Sequence, residues 1–231
     1  MEQMQQQLLQ NPFHHLDVVA KEVSTALTSA KCRHGFVNGY AASLVGGTRL
    51  TDDVDVIVDA DPAEARNLLL RANSCFQVTQ ANKLVFIGEA DATSIELLRG
   101  GQTQQLKLPE ASSAPLHEVT HGELSGRIDD DKPIPIIHPS VLVLTKTKRW
   151  AIYAESTRPK SLKKARGDVA DIETILEWLA KHNLCINFTG YPEKPKEELI
   201  CGVRKLYQMN VAIRPLLKST MEPQDFGRIS S

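Results

Sequence analysis

Apolar positions at Leu16, Val19, Val23 and Leu27 recur at three- and four-residue intervals, which predicts an amphipathic helix ending before Gly35. Residues 35–38 read as a short strand and 40–45 as a short helix. From Asp53 the period changes to two: Asp, Val, Asp, Val, Ile, Val, Asp. Side chains alternate across a strand, so Asp53 and Asp55 project from one face while Val54, Val56 and Val58 fill the other. Asp61-Pro62-Ala63-Glu64 combines a capping residue, a proline at the first helical position and an acid three residues after the cap, and so starts a helix reaching about Asn73. Strands are predicted over 83–87 and 93–98, and in the second Glu96 is a lone acid sharing a face with Ser94 and Leu98. The Gly-, Gln-, Ser- and Pro-rich segment 100–117 is a loop and a candidate lid. Strands over 118–128 and 134–137 flank Asp129-Asp130-Asp131-Lys132-Pro133, a turn whose acids are a solvated cluster or a cation site.

After His138-Pro139-Ser140 the pattern is helical. A first, largely buried helix carries Lys146, Lys148 and Arg149. A second buries Val169, Ile172, Leu176 and Leu179, with Asp168 and Asp171 on a neighbouring face, where they pair with Lys146 or Lys164 or ride on a wet surface. Further helices are predicted over 197–209 and 211–217, and the last dozen residues read as tail. The expected architecture is α+β, with a mixed β-sheet flanked by helices over 1–138 and a helical C-terminal bundle over 139–231.

With 231 residues, 42% of them hydrophobic, the chain can bury a large core; aromatics are only 5%, so Val, Leu, Ile and Ala must build it. The formal net charge of -1 gives no overall attraction to nucleic acid or membrane. It conceals the segment 144–166, where eight Lys and Arg face Glu155 alone. Cys32, Cys75, Cys185 and Cys201 have neither zinc-ligand nor disulfide-framework spacing. No apolar run reaches the roughly 20 residues of a membrane span, and the polar start is unlike a signal peptide, so a cytoplasmic protein without membrane attachment is expected.

The candidate chemistry lies between residues 36 and 60. Two carboxylates side by side repel, so one keeps a proton or a cation sits between them, and hard oxygen ligands suit Mg²⁺ or Mn²⁺. The alternative is a half-buried strand whose acids face water. Upstream, Gly39, Gly46 and Gly47 with Ser43, Thr48, Arg49 and Thr51 supply flexible backbone, hydroxyls and a guanidinium, the parts of a phosphate site. A P-loop is excluded by the lack of Gly-Lys-Ser/Thr, and a serine hydrolase by the lack of a nucleophile elbow.

Asn38-Gly39 followed by Asp53-Val54-Asp55 between apolar flanks resembles the signature of the DNA polymerase beta-like nucleotidyltransferase superfamily. The fuller string from Gly39 to Asp55 is similar to the branch containing abortive-infection toxins and antibiotic nucleotidyltransferases. That motif usually opens with Gly-Gly or Gly-Ser, and this chain departs from it at Asn38. The resemblance implies a nucleotidyltransferase fold and transfer of a nucleoside monophosphate from a nucleoside triphosphate to an acceptor hydroxyl, with pyrophosphate released. It implies Mg²⁺ or Mn²⁺ on Asp53 and Asp55, with Glu96, in Ile95-Glu96-Leu97, as third carboxylate. Gly39, Ser43, Thr48, Arg49, Lys146 and Lys164 are then the nucleotide-binding residues, and an RNA end such as tRNA is a candidate acceptor because of the basic segment. The other class of function is a nucleotidyltransferase-fold protein that binds nucleotide or tRNA without transfer.

Overall fold

The computed structural model describes residues 11–88, 92–120 and 132–230. Helix α1 (His14–Ser29) buries the expected stripe of Leu16, Val19, Val23 and Leu27, together with Asp17, which accepts hydrogen bonds from Tyr40 Oη at 3.0 Å and Asn11 Nδ2 at 2.9 Å. Strand β1 (His34–Val37) leads into the short helix α2 (Asn38–Leu44), and strand β2 (Asp53–Val58) carries the alternating acids. Helix α3 (Pro62–Ala72) starts as its sequence dictates, with Asp61 Oδ1 accepting from the Ala63 N–H at 2.9 Å and Pro62 in the first turn.

Strand β3 (Phe76–Val78), which the sequence pattern did not announce, pairs with β4 (Leu84–Ile87). Three residues are too few to show alternation. Strands β5 (Ala92–Arg99), β6 (Leu116–Val119) and β7 (Ile134–Ile137) complete a sheet of order β3-β4-β5-β2-β1-β7-β6. It is mixed: β2 runs parallel to β5 and β1 parallel to β7, while the remaining pairs are antiparallel. The Asp129-Asp130-Asp131 turn and most of the strand expected over 118–128 lie outside the described residues.

The segment expected as a lid is strapped to the sheet. Arg33 donates to the carbonyls of Ala111 and Ala114 at 2.6 and 2.9 Å, and both alanines are buried.

Helix α4 (Pro139–Tyr153) buries every residue from Pro139 to Thr147, which is why it shows no clean polar face. It packs on α5 (Pro159–Lys181) and on α6 (Lys196–Met209). The buried stripe of α5 is Ala165, Asp168, Asp171, Ile172, Ile175, Leu176 and Leu179, so the two acids lie within it and not on the neighbouring face expected from the sequence. Two more helices follow, α7 (Arg214–Ser219) and α8 (Pro223–Ser230). The second replaces the expected tail: Ile229 is 1% exposed, and Arg204 of α6 donates to the Arg228 carbonyl at 2.5 and 3.0 Å. One hydrophobic cluster runs from α1 through the sheet to α8.

Candidate functional site

The parallel register of β2 and β5 places Asp53 opposite Ser94 and Asp55 opposite Glu96. Paired residues on adjacent strands point to the same side, so Asp53, Asp55 and Glu96 share one face at the centre of the sheet. Asp53 and Glu96 are exposed, while Asp55 is 6% exposed. Asp53 Oδ1 accepts from Thr51 Oγ1 at 2.8 Å, and Asp55 Oδ2 accepts from Asn38 Nδ2 at 2.8 Å. Among the described residues, Asp55 Oδ1 is buried with no hydrogen-bond donor to accept from, and the Glu96 carboxyl lies within reach of the Asp55 carboxyl. Burial above all, then the charges of Asp53 and Glu96, push the Asp55 carboxyl up to about 7, and the Asn38 hydrogen bond opposes the rise. None of the three acids forms an ion pair with another described residue. An open cleft of about 560 Å³ lies beside them, lined by Asp53, Ser94, Glu96, Arg66, Asn82 and Lys83.

The turn before β2 depends on two glycines. Gly46 adopts a φ of +106°, a conformation that disfavours any side chain. A methyl group on Gly39 would stand 2.8 Å from both the Arg49 guanidinium and Thr51 Oγ1, so its hydrogen lets those side chains close over the start of α2. No side chain caps that start.

The residues expected to hold a nucleotide are used unequally. Thr48 and Lys164 are exposed, and the Lys164 ammonium lies 5.7 Å from the centre of the Tyr153 ring. Arg49 makes a bidentate contact with Asp171, Nε to Oδ1 at 2.9 Å and Nη2 to Oδ2 at 2.8 Å, which raises its pKa, and its side chain stays 34% exposed. Ser43 is buried, and its hydroxyl donates to the Tyr40 carbonyl at 2.7 Å. Lys146 is fully buried: its ammonium sits 2.5 Å from Asp171 Oδ2 and 3.7 Å from Asp168 Oδ1, and burial lowers its pKa against the pull of those carboxylates. The structure therefore brings Asp53, Asp55, Glu96, Gly39 and Arg49 to one region, and turns Ser43 and Lys146 inward.

Two participants were not legible as such. Arg149 grips Asp168 through Nε and Nη2, the latter at 2.5 Å, and its Nη1 reaches Asn38 Oδ1 at 3.4 Å. Asn38 joins this pair to Asp55. Its φ is +59°, the left-handed region that asparagine tolerates better than most residues, so the departure from glycine at this position keeps the backbone geometry glycine would supply.

Among the described residues no group of three His, Cys, Asp or Glu forms a ready-made metal cage. Magnesium is usually held by one or two carboxylates plus substrate phosphates, and keeps several waters. The unpartnered Asp55 oxygen, with two more carboxylates on its face, fits that kind of shared site.

The fold places the chain in a class. Its structure matches that of an antigenic nucleotidyltransferase-like protein from Paracoccidioides brasiliensis, with a TM-score of 0.69 over 92% of this chain and 96% of that one, at 17% identity. This is the nucleotidyltransferase fold. Slighter likenesses, at TM-scores of 0.39 over 73% of this chain, are to a solution structure and a crystal structure of the antibiotic-resistance factor ANT(2'')-Ia, the latter in complex with adenylyl-2''-tobramycin; identities are 16% and 14%, over 91% and 99% of those chains. No protein-family model matches the sequence, and no curated protein does. No helix among the described residues is long and apolar enough to cross a membrane.

Proposed function

We propose that the protein is a metal-dependent nucleotidyltransferase that moves a nucleoside monophosphate from a nucleoside triphosphate to an acceptor hydroxyl. The observation that carries this reading is the buried Asp55 oxygen without a partner, set beside two further carboxylates in a chain of this fold. Left without a cation, such a group costs stability; with one, its charge is used. Asp53, Asp55 and Glu96 would hold Mg²⁺ or Mn²⁺, and the bound ion would supply Lewis-acid polarisation of the α-phosphate. The acceptor oxygen bonds to the α-phosphorus, the bond from that phosphorus to the bridging oxygen breaks, and pyrophosphate leaves. Glu96, exposed on the cleft side, takes the hydroxyl proton. Thr48, Arg49, Lys164 and the backbone at Gly39 meet the phosphates. Lys146 acts from behind, holding the carboxylate that orients Arg49.

An RNA end is the acceptor that the surface charge supports best. Arg158, just before α5, and Lys160, Lys163, Lys164 and Arg166 in its N-terminal half are all exposed, and clustered cations of this kind give salt-dependent affinity for phosphates. A second reading, binding of nucleotide or tRNA without transfer, is favoured by one observation: the Arg49 guanidinium is already committed to Asp171.

Purified protein incubated with Mg²⁺, each labelled triphosphate and total cell extract separates the two. Label should pass to RNA in a salt-sensitive reaction that Asp55→Ala abolishes without unfolding the chain. Nucleotide and metal bound equally by wild type and Asp55→Ala, with no label transferred, would leave only the binding reading.

A further inference from the structure

We propose that Asn38 is a positioning residue that selects which oxygen of Asp55 is offered to a cation. The inference rests on the reading of Asp53, Asp55 and Glu96 as ligands of a divalent ion. Its warrant is the geometry of one amide. Asn38 Nδ2 donates to Asp55 Oδ2 at 2.8 Å, and Asn38 Oδ1 accepts from Arg149 Nη1 at 3.4 Å. A carboxylate can only accept and a guanidinium can only donate, so the neighbours on its two sides fix the orientation of the amide. Arg149 is itself held by Asp168, which is fully buried. The chain Asp168–Arg149–Asn38–Asp55 thus runs from the helical core to the acid face.

The backbone supplies the second half of the argument. At a φ of +59° glycine carries no side-chain penalty, so an asparagine there has to be explained by what its side chain does. That side chain occupies Oδ2 of Asp55 and leaves Oδ1 as the oxygen without a partner. A free carboxylate rotates and presents either oxygen; this one is held to a single presentation before any ligand arrives. Removing a group that orients a metal ligand from behind typically costs about ten- to a hundredfold in metal affinity.

The test compares wild type with Asn38→Gly, which keeps the backbone conformation and removes the amide, with the urea midpoint of each recorded so that a loss of folding is not read as a loss of binding. Mn²⁺ binding followed by electron paramagnetic resonance, without nucleotide, should weaken about ten- to a hundredfold in Asn38→Gly. Where transfer is measured, kcat should fall by a similar factor with KM for the triphosphate little changed. A purely structural asparagine predicts the reverse: Asn38→Gly would bind Mn²⁺ as wild type does, and that result overturns the proposal. If wild type binds Mn²⁺ but transfers nothing, the manganese comparison still decides the role of Asn38, while the transferase reading falls on its own.

Discussion

Arg149 stands between two groups of charged side chains that the chain treats in opposite ways. On the helical side Lys146, Arg49 and Arg149 meet Asp168 and Asp171, and every carboxylate oxygen has a cationic donor. On the sheet side, among the described residues, Asp53, Asp55 and Glu96 receive only the neutral donors of Thr51 and Asn38, and one buried oxygen receives none. Burial is not the difference, since Asp168 and Asp171 are more deeply buried than Asp55. The difference is completeness. A closed network of opposite charges holds helices together, whereas an open one stores repulsion that a ligand can relieve.

Neutralising Asp55 gives the sharpest contrast. Asp55→Asn should lower transfer by about a thousandfold or more, since cation stabilisation of the transition state supplies several kcal/mol. The same change should make the fold more stable. The Asp55 carboxyl, ordinarily at 3.8, is held at about 7 in the folded state, so folding favours its protonated form. Its contribution is fully present below the unfolded value, declines as pH rises, and is lost above about 7. Wild type and Asp55→Asn should thus have similar urea midpoints near pH 4, with the variant gaining on the order of 3 kcal/mol at pH 8 in the presence of a chelator. An equal offset at both pH values would show that Asp55 does not carry the strain.

The balanced network should respond in the opposite sense. Asp168→Ala strips Arg149 of its carboxylate and leaves buried Lys146 with Asp171 alone, a loss of about 3–5 kcal/mol in denaturant unfolding. A variant as stable as wild type would mean that water replaces the carboxylate and that the interface is less dry than its burial implies.

How much of this could be read from the residues depended on the range of the interaction. Asp53 and Asp55 were legible because period two is local, and Asp61-Pro62 because a cap and its helix are contiguous. Glu96 was legible as an acid in an apolar strand; its register against Asp55 is a tertiary fact. The fates of Arg49 and Lys146 were hidden, since Asp171 lies 122 residues from one and 25 from the other. The buried place of Asp168 and Asp171 was hidden too, because a paired carboxylate in a core looks in sequence like a solvated one. Asn38 read as a missing glycine, because φ is invisible in a string of letters. Strand β3 and helix α8 were missed for shortness and for a polar composition respectively, both being fixed by what they pack on.

The smallest expected effect belongs to Lys164, which lies outside both clusters and tests whether the open side extends to the surface of α5. The residue is exposed, and its ammonium lies over the face of Tyr153. Lys164→Gln should shift stability by no more than about 0.5 kcal/mol, as surface substitutions do. If it meets a phosphate of the triphosphate or of an RNA acceptor, the KM for that substrate should rise about fivefold, the order of a single exposed charge contact, and the rise should shrink as salt is added. A KM that is unchanged at low salt would confine the site to the sheet face and the turn at Gly39, leaving the basic end of α5 with no part in the reaction.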